Sequence, residues 1–294
     1  MADNLHSAIG TAMKSQRAHQ KSFSFEFFPP RTEKGIENLR KTRQKLAELK
    51  PRFFSVTFGA GGSTQDRTLE TVLEIQGESS LEAAPHLSCI GSTQESIRHI
   101  LKTYVDHDVK HIVALRGDLP SGLGAAGEFR YANELVTFIR QETGDHFHIE
   151  VAAYPEFHPQ SNDAQTDLNN FQRKVEAGAN SAITQYFYNP DAYFQFVESC
   201  EKRGLSQPLV PGIMPINNYT QLARFSDACG AEIPRWMRKR LESYGDDIES
   251  ICSFGEDVIT RMCETLLAQG APGLHFYTLN KAEPTTRIWR NLGL

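Results

Sequence analysis

The chain lacks the features that mark several classes of protein. Its five cysteines form no C-x-x-C pair, which argues against a disulfide framework or a zinc knuckle and indicates reduced thiols. No run of about 18 apolar residues occurs and no signal peptide opens the sequence, so we expect a cytoplasmic protein without a membrane segment. Positive charge is not in excess, because the formal net charge is -5, and we therefore expect no nucleic-acid partner.

The residues that are present suit a large folded core. Hydrophobic residues make up 39% of the chain, and 18 of its 294 residues are phenylalanine. No linker rich in Gly, Ser or Pro divides the sequence. We therefore expect a single domain over residues 1–294, in which residues 1–21 form an N-terminal helical extension with Leu5, Ile9 and Met13 on one face.

Short β-branched and aromatic runs alternate with longer stretches of helical periodicity, which is the pattern of a βα repeat. The repeat predicts eight strands, at residues 22–28, 53–58, 83–90, 111–118, 148–154, 181–187, 209–216 and 274–279. Eight parallel strands favour an α/β fold of the single (β/α)8 TIM barrel type over an open doubly wound sheet, which is the second choice. The long gap over residues 218–270 predicts extra helices between strands 7 and 8.

In such a barrel the catalytic groups stand at the carboxyl ends of the strands. Glu26 is a candidate because it lies in S-F-E-F-F-P-P, between Phe25 and Phe27. Desolvation by the aromatic side chains would raise the pKa of its carboxyl group and suit it to proton donation near neutral pH. A buried glutamate paired with a lysine or an arginine is the structural alternative.

Asp118 is a second candidate acid. It ends the apolar strand of V-A-L-R-G-D-L-P, directly after Gly117, and the glycine would let a ligand approach the backbone closely. Aspartate is also common in turns and caps, and the strand alone does not decide between these roles.

Metal ligands are weaker candidates. His86, His158 and Glu156 could bind a metal as in a barrel hydrolase, but the two histidines lie on different strands. His146 and His148 form an H-x-H at the start of a strand, which is the wrong end for barrel chemistry. We therefore expect no metal site.

Two glycine-rich segments resemble nucleotide-binding loops. The G-L-G-A-A-G of residues 122–127 matches a dinucleotide fingerprint but does not follow its strand at once. The G-A-G-G-S-T of residues 59–64 lacks the lysine of a P-loop. We interpret both segments as flexible βα loops.

One predicted helix carries a polar group of residues. Asp167, Asn170 and Lys174 are spaced to share a helix face, and Arg173 lies beside it. A solvated helix face would have the same pattern, whereas the cationic pair could also hold the pyrophosphate of a cofactor.

Eight segments resemble, in order along the chain, the motifs of the methylenetetrahydrofolate reductase family. They are S-F-E-F-F-P-P, V-T-F-G-A-G-G-S-T, A-A-P-H-L, H-I-V-A-L-R-G-D-L-P, V-A-A-Y-P-E-F-H-P, I-T-Q-Y-F-Y, V-P-G-I-M-P-I and H-F-Y-T-L-N. The resemblance implies a (β/α)8 barrel that binds FAD non-covalently without a Rossmann fold. The chain stops after the predicted barrel, so the form expected is the short bacterial one, without a regulatory domain.

The resemblance also implies the site residues. The flavin contacts expected from it are Thr57, His86, Leu115, Arg116, Gly117, Asp118, Tyr131, Ala152, Tyr154, His158, Asp167, Asn170, Arg173, Lys174, Ile183 and Tyr277. The substrate contacts expected are Glu26, Asp118, Gln185, Gln221, Phe225 and Lys281. Glu26 is the implied general acid that opens the five-membered ring of the folate to an iminium cation, and the ionised Asp118 would stabilise that cation.

By the same resemblance, NADH or NADPH and the folate use one site in turn. The implied reaction is a ping-pong reduction of 5,10-methylenetetrahydrofolate to 5-methyltetrahydrofolate, which supplies methyl groups for methionine synthesis. Gln185 would bind the pterin and Phe225 would stack on either substrate, while Lys281 would hold a carboxylate less firmly than an arginine. The implied assembly is a homo-oligomer, either a dimer or a tetramer.

Two other functions are compatible with parts of the sequence. A barrel glycosidase would pair Glu26 with Asp118 or Glu156, but it needs exposed tryptophans, and both tryptophans of this chain lie outside the predicted strand ends. A flavin- or folate-binding protein without turnover would be indicated by replacement of Glu26 or Asp118, and neither acid is replaced.

Overall fold

A computed structural model describes residues 13–58, 62–78, 81–118 and 127–294, with the backbone alone for residues 62–65. The first part of the predicted N-terminal extension, residues 1–12, lies outside the described residues. The same holds for residues 59–61 of the G-A-G-G-S-T segment and residues 122–126 of the G-L-G-A-A-G segment.

The described residues form nine strands, which account for the eight predicted ones. They are β1 (Ser22–Phe27), β2 (Phe53–Val56), β3 (Glu82–Ser88), β4 (His111–Leu115), β5 (His148–Ala153), β6 (Ser181–Thr184), β7 (Leu209–Val210), β8 (Gly212–Ile213) and β9 (Gly273–Tyr277). The predicted seventh strand is split at Pro211 into β7 and β8, because proline has no N–H to donate to a sheet. The carbonyl of Pro211 still accepts a hydrogen bond of 3.0 Å from the N–H of His275 in β9.

Helices separate the strands. They are α1 (Lys14–Arg17), α2 (Glu33–Ala47), α3 (Gly62–Glu78), α4 (Gln94–Asp106), α5 (Ala132–Thr143), α6 (Ala164–Glu176), α7 (Pro190–Lys202), α8 (Tyr219–Cys229), α9 (Arg235–Ser243), α10 (Ile248–Gln269) and α11 (Ala282–Asn291). The helices α8, α9 and α10 are the extra helices predicted before the last strand. No helix in the described part of the chain has the length and apolar character needed to cross a membrane.

The strands form one sheet in the order β7-β6-β5-β4-β3-β2-β1-β9-β8. Neighbouring strands run parallel in the pairs β1–β2, β2–β3, β3–β4, β4–β5 and β8–β9. The first strand lies beside the last one, and the N–H of Ser22 donates a hydrogen bond of 2.7 Å to the carbonyl of Pro272. Parallel strands in sequence order, separated by helices, with the first beside the last, make this a (β/α)8 barrel fold, as predicted.

The chain falls into two compact units. The β1–β5 unit consists of Ser24–Ala152 and Asn170–Ala182, and the β7–β9 unit consists of the segment up to Phe23, Ala153–Asn169 and Ile183–Leu294. The assignment of residues 1–294 to a single domain stays a prediction.

Aromatic side chains fill the core of the β1–β5 unit. Phe25 and Phe27 of β1 are buried, and their ring centroids lie 6.1 and 5.0 Å from that of Phe54 in β2. Burying one such side chain contributes about 1.5–3 kcal/mol to stability. Because successive residues of a strand face opposite ways, this packing turns Glu26 to the other face of the sheet.

The β7–β9 unit has its own aromatic core and a polar anchor for the N-terminal helix. Tyr193 of α7 stacks on Phe187 at 5.8 Å, and its hydroxyl donates to the carbonyl of Leu209 at 2.7 Å. The buried Gln16 of α1 accepts from the N–H of Leu209 at 2.8 Å and donates to the carbonyl of Gln207 at 3.1 Å. The described end of the N-terminal extension is therefore fixed at the start of β7.

Candidate active site

The strand register of the β1–β5 unit brings four of the predicted residues to one face of the sheet. Paired residues of parallel strands share a face, and every second residue along a strand returns to it. By this rule Glu26, His86, Leu115 and Ala152 project to the same face, from β1, β3, β4 and β5. Each lies within the last three residues of its strand, which is the end where barrel chemistry is found.

The central contact on this face joins Glu26 and His86. The Oε2 atom of Glu26 lies 3.3 Å from Nε2 of His86, and the two side chains are 18% and 9% exposed. Phe25 and Phe27 are buried on the opposite face, so the aromatic surroundings expected for the carboxyl group are not supplied by these two neighbours. The described partner is instead an imidazole. The distance slightly exceeds the usual span of a hydrogen bond, and Nε2 of His86 has no hydrogen-bond partner within the described residues, so the pair is a close contact between an acid and an imidazole.

A glycine turn follows β4. Gly117 has a φ of 84°, and a Cβ atom added to it would overlap Oγ of Ser88, so no other residue fits without strain. The carbonyl of Arg116 accepts hydrogen bonds from the N–H of Ile90 at 2.8 Å and the hydroxyl of Ser88 at 3.0 Å. These bonds hold the turn against the end of β3. Asp118 follows the turn with an exposed side chain.

Two cations of α6 belong to the same unit. The Nζ atom of Lys174 donates to the carbonyl of Ala152 at 2.5 Å, and it lies 5.7 Å from the ring centroid of Phe171. Arg173 is exposed, and its Nη1 atom donates to Oδ1 of Asn170 at 3.1 Å. A lysine cation therefore lies at the carboxyl end of β5, with an exposed guanidinium on the preceding residue.

Two further predicted contacts of the β1–β5 unit lie just outside regular strands. Thr57 follows β2, and its N–H donates to the carbonyl of Phe27 at 2.9 Å. Tyr131 precedes α5 with 56% of its surface exposed. The carboxylate of Glu134 accepts from the N–H of Arg130 at 2.7 Å, which fixes the start of α5 and with it the position of the tyrosine.

The β7–β9 unit holds the remaining predicted flavin contacts. The rings of Tyr154 and His158 meet edge to face at 4.6 Å, and the buried Asp167 accepts a hydrogen bond of 3.0 Å from the hydroxyl of Ser161. Ile183 is buried in β6.

Tyr277 is fixed within the β7–β9 unit by one hydrogen bond and one glycine. Its hydroxyl donates to the carbonyl of Thr184 at 2.8 Å. A Cβ atom on Gly212 would lie 2.6 Å from Cε2 of the Tyr277 ring, so the glycine of V-P-G-I makes room for the tyrosine.

The predicted folate contacts of this unit are partly open to solvent. Gln185 is half-buried, and its Oε1 atom accepts from the N–H of Tyr186 at 3.0 Å. Gln221 and Phe225 are half-buried on α8, and Lys281 is exposed at the start of α11. The side chain of Phe225 is therefore available for stacking.

A cavity of about 390 Å³ in the β7–β9 unit is one feature that sequence reasoning missed. The cavity is lined by Glu156, Tyr188, Asn189, Pro190, Glu232, Pro234 and Trp236. Burial raises the pKa of Glu156 above its ordinary value. The cavity is lined by both an acid, Glu156, and an exposed tryptophan, Trp236, which are the residue types that a glycosidase would need. None of the residues predicted to bind flavin or folate lines it.

The structure also brings His111, His148 and Glu150 together at the starts of β4 and β5. The sequence predicted no metal site, because His146 and His148 lie at the start of a strand and His111 was not among the candidate ligands. The signal that could have found this group is the alignment of two strands that both begin with histidine.

Comparison with known proteins gives matches along nearly the whole chain. The family model described as "Methylenetetrahydrofolate reductase" matches residues 12–293. The chain is 43% identical over 275 residues to the 5,10-methylenetetrahydrofolate reductase of Escherichia coli (strain K12), covering 94% of this chain and 92% of that one. It is 41% identical over 288 residues to Methylenetetrahydrofolate reductase (NADH) 1 of Arabidopsis thaliana, covering 94% of this chain and 49% of the plant protein.

A solved structure shares the fold. It is that of an uncharacterised Clostridium thermocellum protein that binds two copies of 5-methyl-5,6,7,8-tetrahydrofolic acid, with a TM-score of 0.66 and 16% identity. The match covers 95% of this chain and 96% of that chain. At this identity the similarity supports the barrel fold alone.

Proposed function

Because the chain belongs to the methylenetetrahydrofolate reductase family, and is thus an oxidoreductase of folate one-carbon metabolism, we propose that it reduces 5,10-methylenetetrahydrofolate to 5-methyltetrahydrofolate with NADH and bound FAD. NADH is favoured over NADPH because the plant relatives are named as NADH enzymes. The proposal includes a ping-pong order of the two substrates and a supply of methyl groups for methionine synthesis.

The residues of the β1–β5 unit fit a flavin dinucleotide. Arg173 and Lys174 offer two adjacent positive charges, which suit the two negative charges of a pyrophosphate. The exposed ring of Tyr131 offers a stacking surface for a planar ring system. When bound, FAD supplies the hydride chemistry that no amino-acid side chain can perform.

The contact between Glu26 and His86 is the single observation that carries the proposal. Opening the five-membered ring of the folate requires a proton at the departing nitrogen. Glu26 would donate that proton, and His86, whose Nε2 atom lies 3.3 Å from Oε2 of Glu26, would help to orient the carboxyl group. Water has little access to the pair, because both side chains are mostly buried. Such proton transfer contributes about 10²–10⁴-fold to a rate.

Asp118 has a separate role in the proposal. The Gly117 turn presents its exposed carboxylate beyond the end of β4. A negative charge there would stabilise the iminium cation that ring opening creates, since opposite charges attract.

Residues of the β7–β9 unit would bind the folate and the nicotinamide. Gln185 would form hydrogen bonds to the pterin, Phe225 would stack on the substrate ring, and Gln221 on the same helix would assist it. Lys281 would attract the glutamate carboxylate of the folate as a point charge. The homo-oligomer and the cytoplasmic location stay predictions from the sequence.

The visible spectrum of the purified protein, recorded without oxygen, tests the proposal. We expect the absorption of oxidised flavin, its bleaching after NADH is added without folate, and its return when 5,10-methylenetetrahydrofolate follows. Bleaching in the absence of folate is required by the ping-pong order. A protein that stays colourless after reconstitution with FAD would overturn the flavoenzyme assignment, and bleaching only with folate present would overturn the order.

A further inference from the structure

Four ionisable side chains meet at the starts of adjacent strands in the β1–β5 unit. Glu82 opens β3, His111 opens β4, His148 opens β5, and Glu150 lies two residues further along β5. The register pairs His111 with His148, so both histidines and Glu150 project from the same face of the sheet. His111 and Glu150 are almost completely buried, with 1% and 4% of their surface exposed.

The distances within this group are too long for good hydrogen bonds. The Oε1 atom of Glu150 lies 3.4 Å from Nε2 of His111 and 3.6 Å from Nε2 of His148. Hydrogen bonds between nitrogen and oxygen usually span about 2.7–3.2 Å. Within the described residues, neither ring nitrogen of His111 nor Oε2 of Glu150 has a hydrogen-bond partner. Buried polar atoms nearly always have one, which makes these atoms candidates for binding a ligand.

We propose that His111, His148 and Glu150 bind a divalent cation of the zinc class. Zinc lies about 2.0–2.2 Å from nitrogen and oxygen ligands, so two ligands of a tetrahedral site are roughly 3.3–3.5 Å apart. The two separations that involve Glu150, 3.4 and 3.6 Å, are close to this spacing. All three ligand atoms lie within 4.8 Å of one another.

The chemistry of the donors selects the metal. Two imidazoles and one carboxylate suit zinc, whereas calcium and magnesium take oxygen ligands almost exclusively. Glu150 supplies the one oxygen ligand of the group.

Two neighbouring residues contact the histidine ligands: Glu82 lies beside His111, and Ser181 lies beside His148. The Oε2 atom of Glu82 lies 3.6 Å from Nδ1 of His111, on the side of the ring away from Glu150. A carboxylate on the second ring nitrogen is the usual support of a histidine that binds a metal. The hydroxyl of Ser181 lies 2.6 Å from Nε2 of His148, and it must yield that nitrogen to the cation.

The position indicates a structural role. The ligands lie at the starts of the strands, and this end of a barrel serves stability rather than catalysis. A cation held by both β4 and β5 would cross-link two neighbouring strands.

Calorimetric titration of the metal-stripped, flavin-loaded protein with Zn²⁺ alone tests the proposal. We expect one equivalent to bind per chain, and zinc to raise the melting temperature. The variants His148→Gln and Glu150→Gln should lower the affinity by more than about 100-fold, and Glu82→Gln by about 10-fold. His146→Gln is the matched control, since it removes a histidine of the same H-x-H outside the cluster, and it should bind zinc as the unchanged protein does.

Two results would contradict the proposal of a zinc site. Absence of stoichiometric zinc binding would overturn the proposal, and so would unchanged affinity in His148→Gln. If Glu150→Gln does not fold, His148→Gln decides the matter, because 33% of that side chain is already exposed. X-ray absorption at the zinc edge of the loaded protein should show two imidazole nitrogens, and a shell without them would count against this site.

Discussion

Glu26 illustrates what a single residue's sequence context can and cannot predict. The aromatic run around it predicted a functional acid in apolar surroundings, but strand alternation turns Phe25 and Phe27 away from the carboxyl group. Its described partner, His86, is 60 residues away in the sequence and arrives through strand pairing. A local motif therefore predicted the residue but not its environment.

Replacing Asp118 by asparagine tests the electrostatic role of this carboxylate. The Asp118→Asn variant keeps the shape of the side chain and removes its charge, so we expect flavin to bind and NADH to reduce it. Reduction of the folate should slow by about 10²–10³-fold, the usual cost of losing one electrostatic contact to developing charge. Rapid-mixing absorbance measures the rates of the two half-reactions. An unchanged rate of folate reduction would contradict the electrostatic role of Asp118.

Gly117 carries a second prediction at the residue scale. Alanine there would adopt a φ that L residues rarely accept, and its Cβ would overlap Ser88. We expect Gly117→Ala to lower the free energy of unfolding by about 2–4 kcal/mol, from backbone strain and overpacking together.

Gly91 provides the control, since its φ is 73° and a Cβ atom added to it meets nothing within 4 Å. Gly91→Ala should cost only about 1 kcal/mol, because it is strained without a clash. Urea unfolding compares the two variants, and equal losses would mean that the contact with Ser88 does not matter.

At the scale of elements, the order of strands and helices was predictable, whereas their ends were not. The fourth strand was predicted over residues 111–118 but ends at Leu115, because the chain turns at Gly117. The seventh strand was predicted as continuous and is split at Pro211. In both places one residue with special backbone chemistry overrides the apolar pattern around it.

The contact between α2 and α3 gives a prediction about pH. Glu74 of α3 pairs with Arg40 and with Arg43, whose side chain is only 5% exposed. The hydrogen bond from Arg40 and the charge of Arg43 hold the pKa of Glu74 below its ordinary value, although burial opposes this. A carboxyl group with a lowered folded pKa stabilises the protein above its unfolded pKa, and the contribution is lost as the pH falls through the folded value.

We therefore expect Glu74→Gln to lower the free energy of unfolding at neutral pH by about 1–2 kcal/mol, since it removes one of the two carboxylates, Glu74 and Glu78, that pair with the buried Arg43. The difference from the unchanged protein should shrink below about pH 4. Glu70→Gln, an exposed residue of the same helix, is the control and should change little. A loss of stability that does not vary with pH would show that the ion pairs are not its cause.

For the molecule as a whole, the sequence predicted the barrel fold and the family, because the motifs and the βα repeat are local features that can be recognised in the sequence itself. It did not predict which side chains face each other across strands. The contact of Glu26 with His86 and the group of His111, His148 and Glu150 both depend on register, which no single segment determines. The division into two compact units was also not apparent, since each unit is assembled from separate segments.

The most direct test of the central claim is a rapid-mixing comparison of both half-reactions in the Glu26→Gln variant. Glutamine preserves the shape of the side chain and cannot donate the proton. We expect flavin reduction by NADH at the unchanged rate and folate reduction slowed by about 10²–10⁴-fold. Glu37→Gln, an exposed residue of α2, should leave both rates unchanged. Folate reduction at the normal rate in Glu26→Gln, or equal loss of both half-reactions, would contradict the assignment of Glu26 as the proton donor.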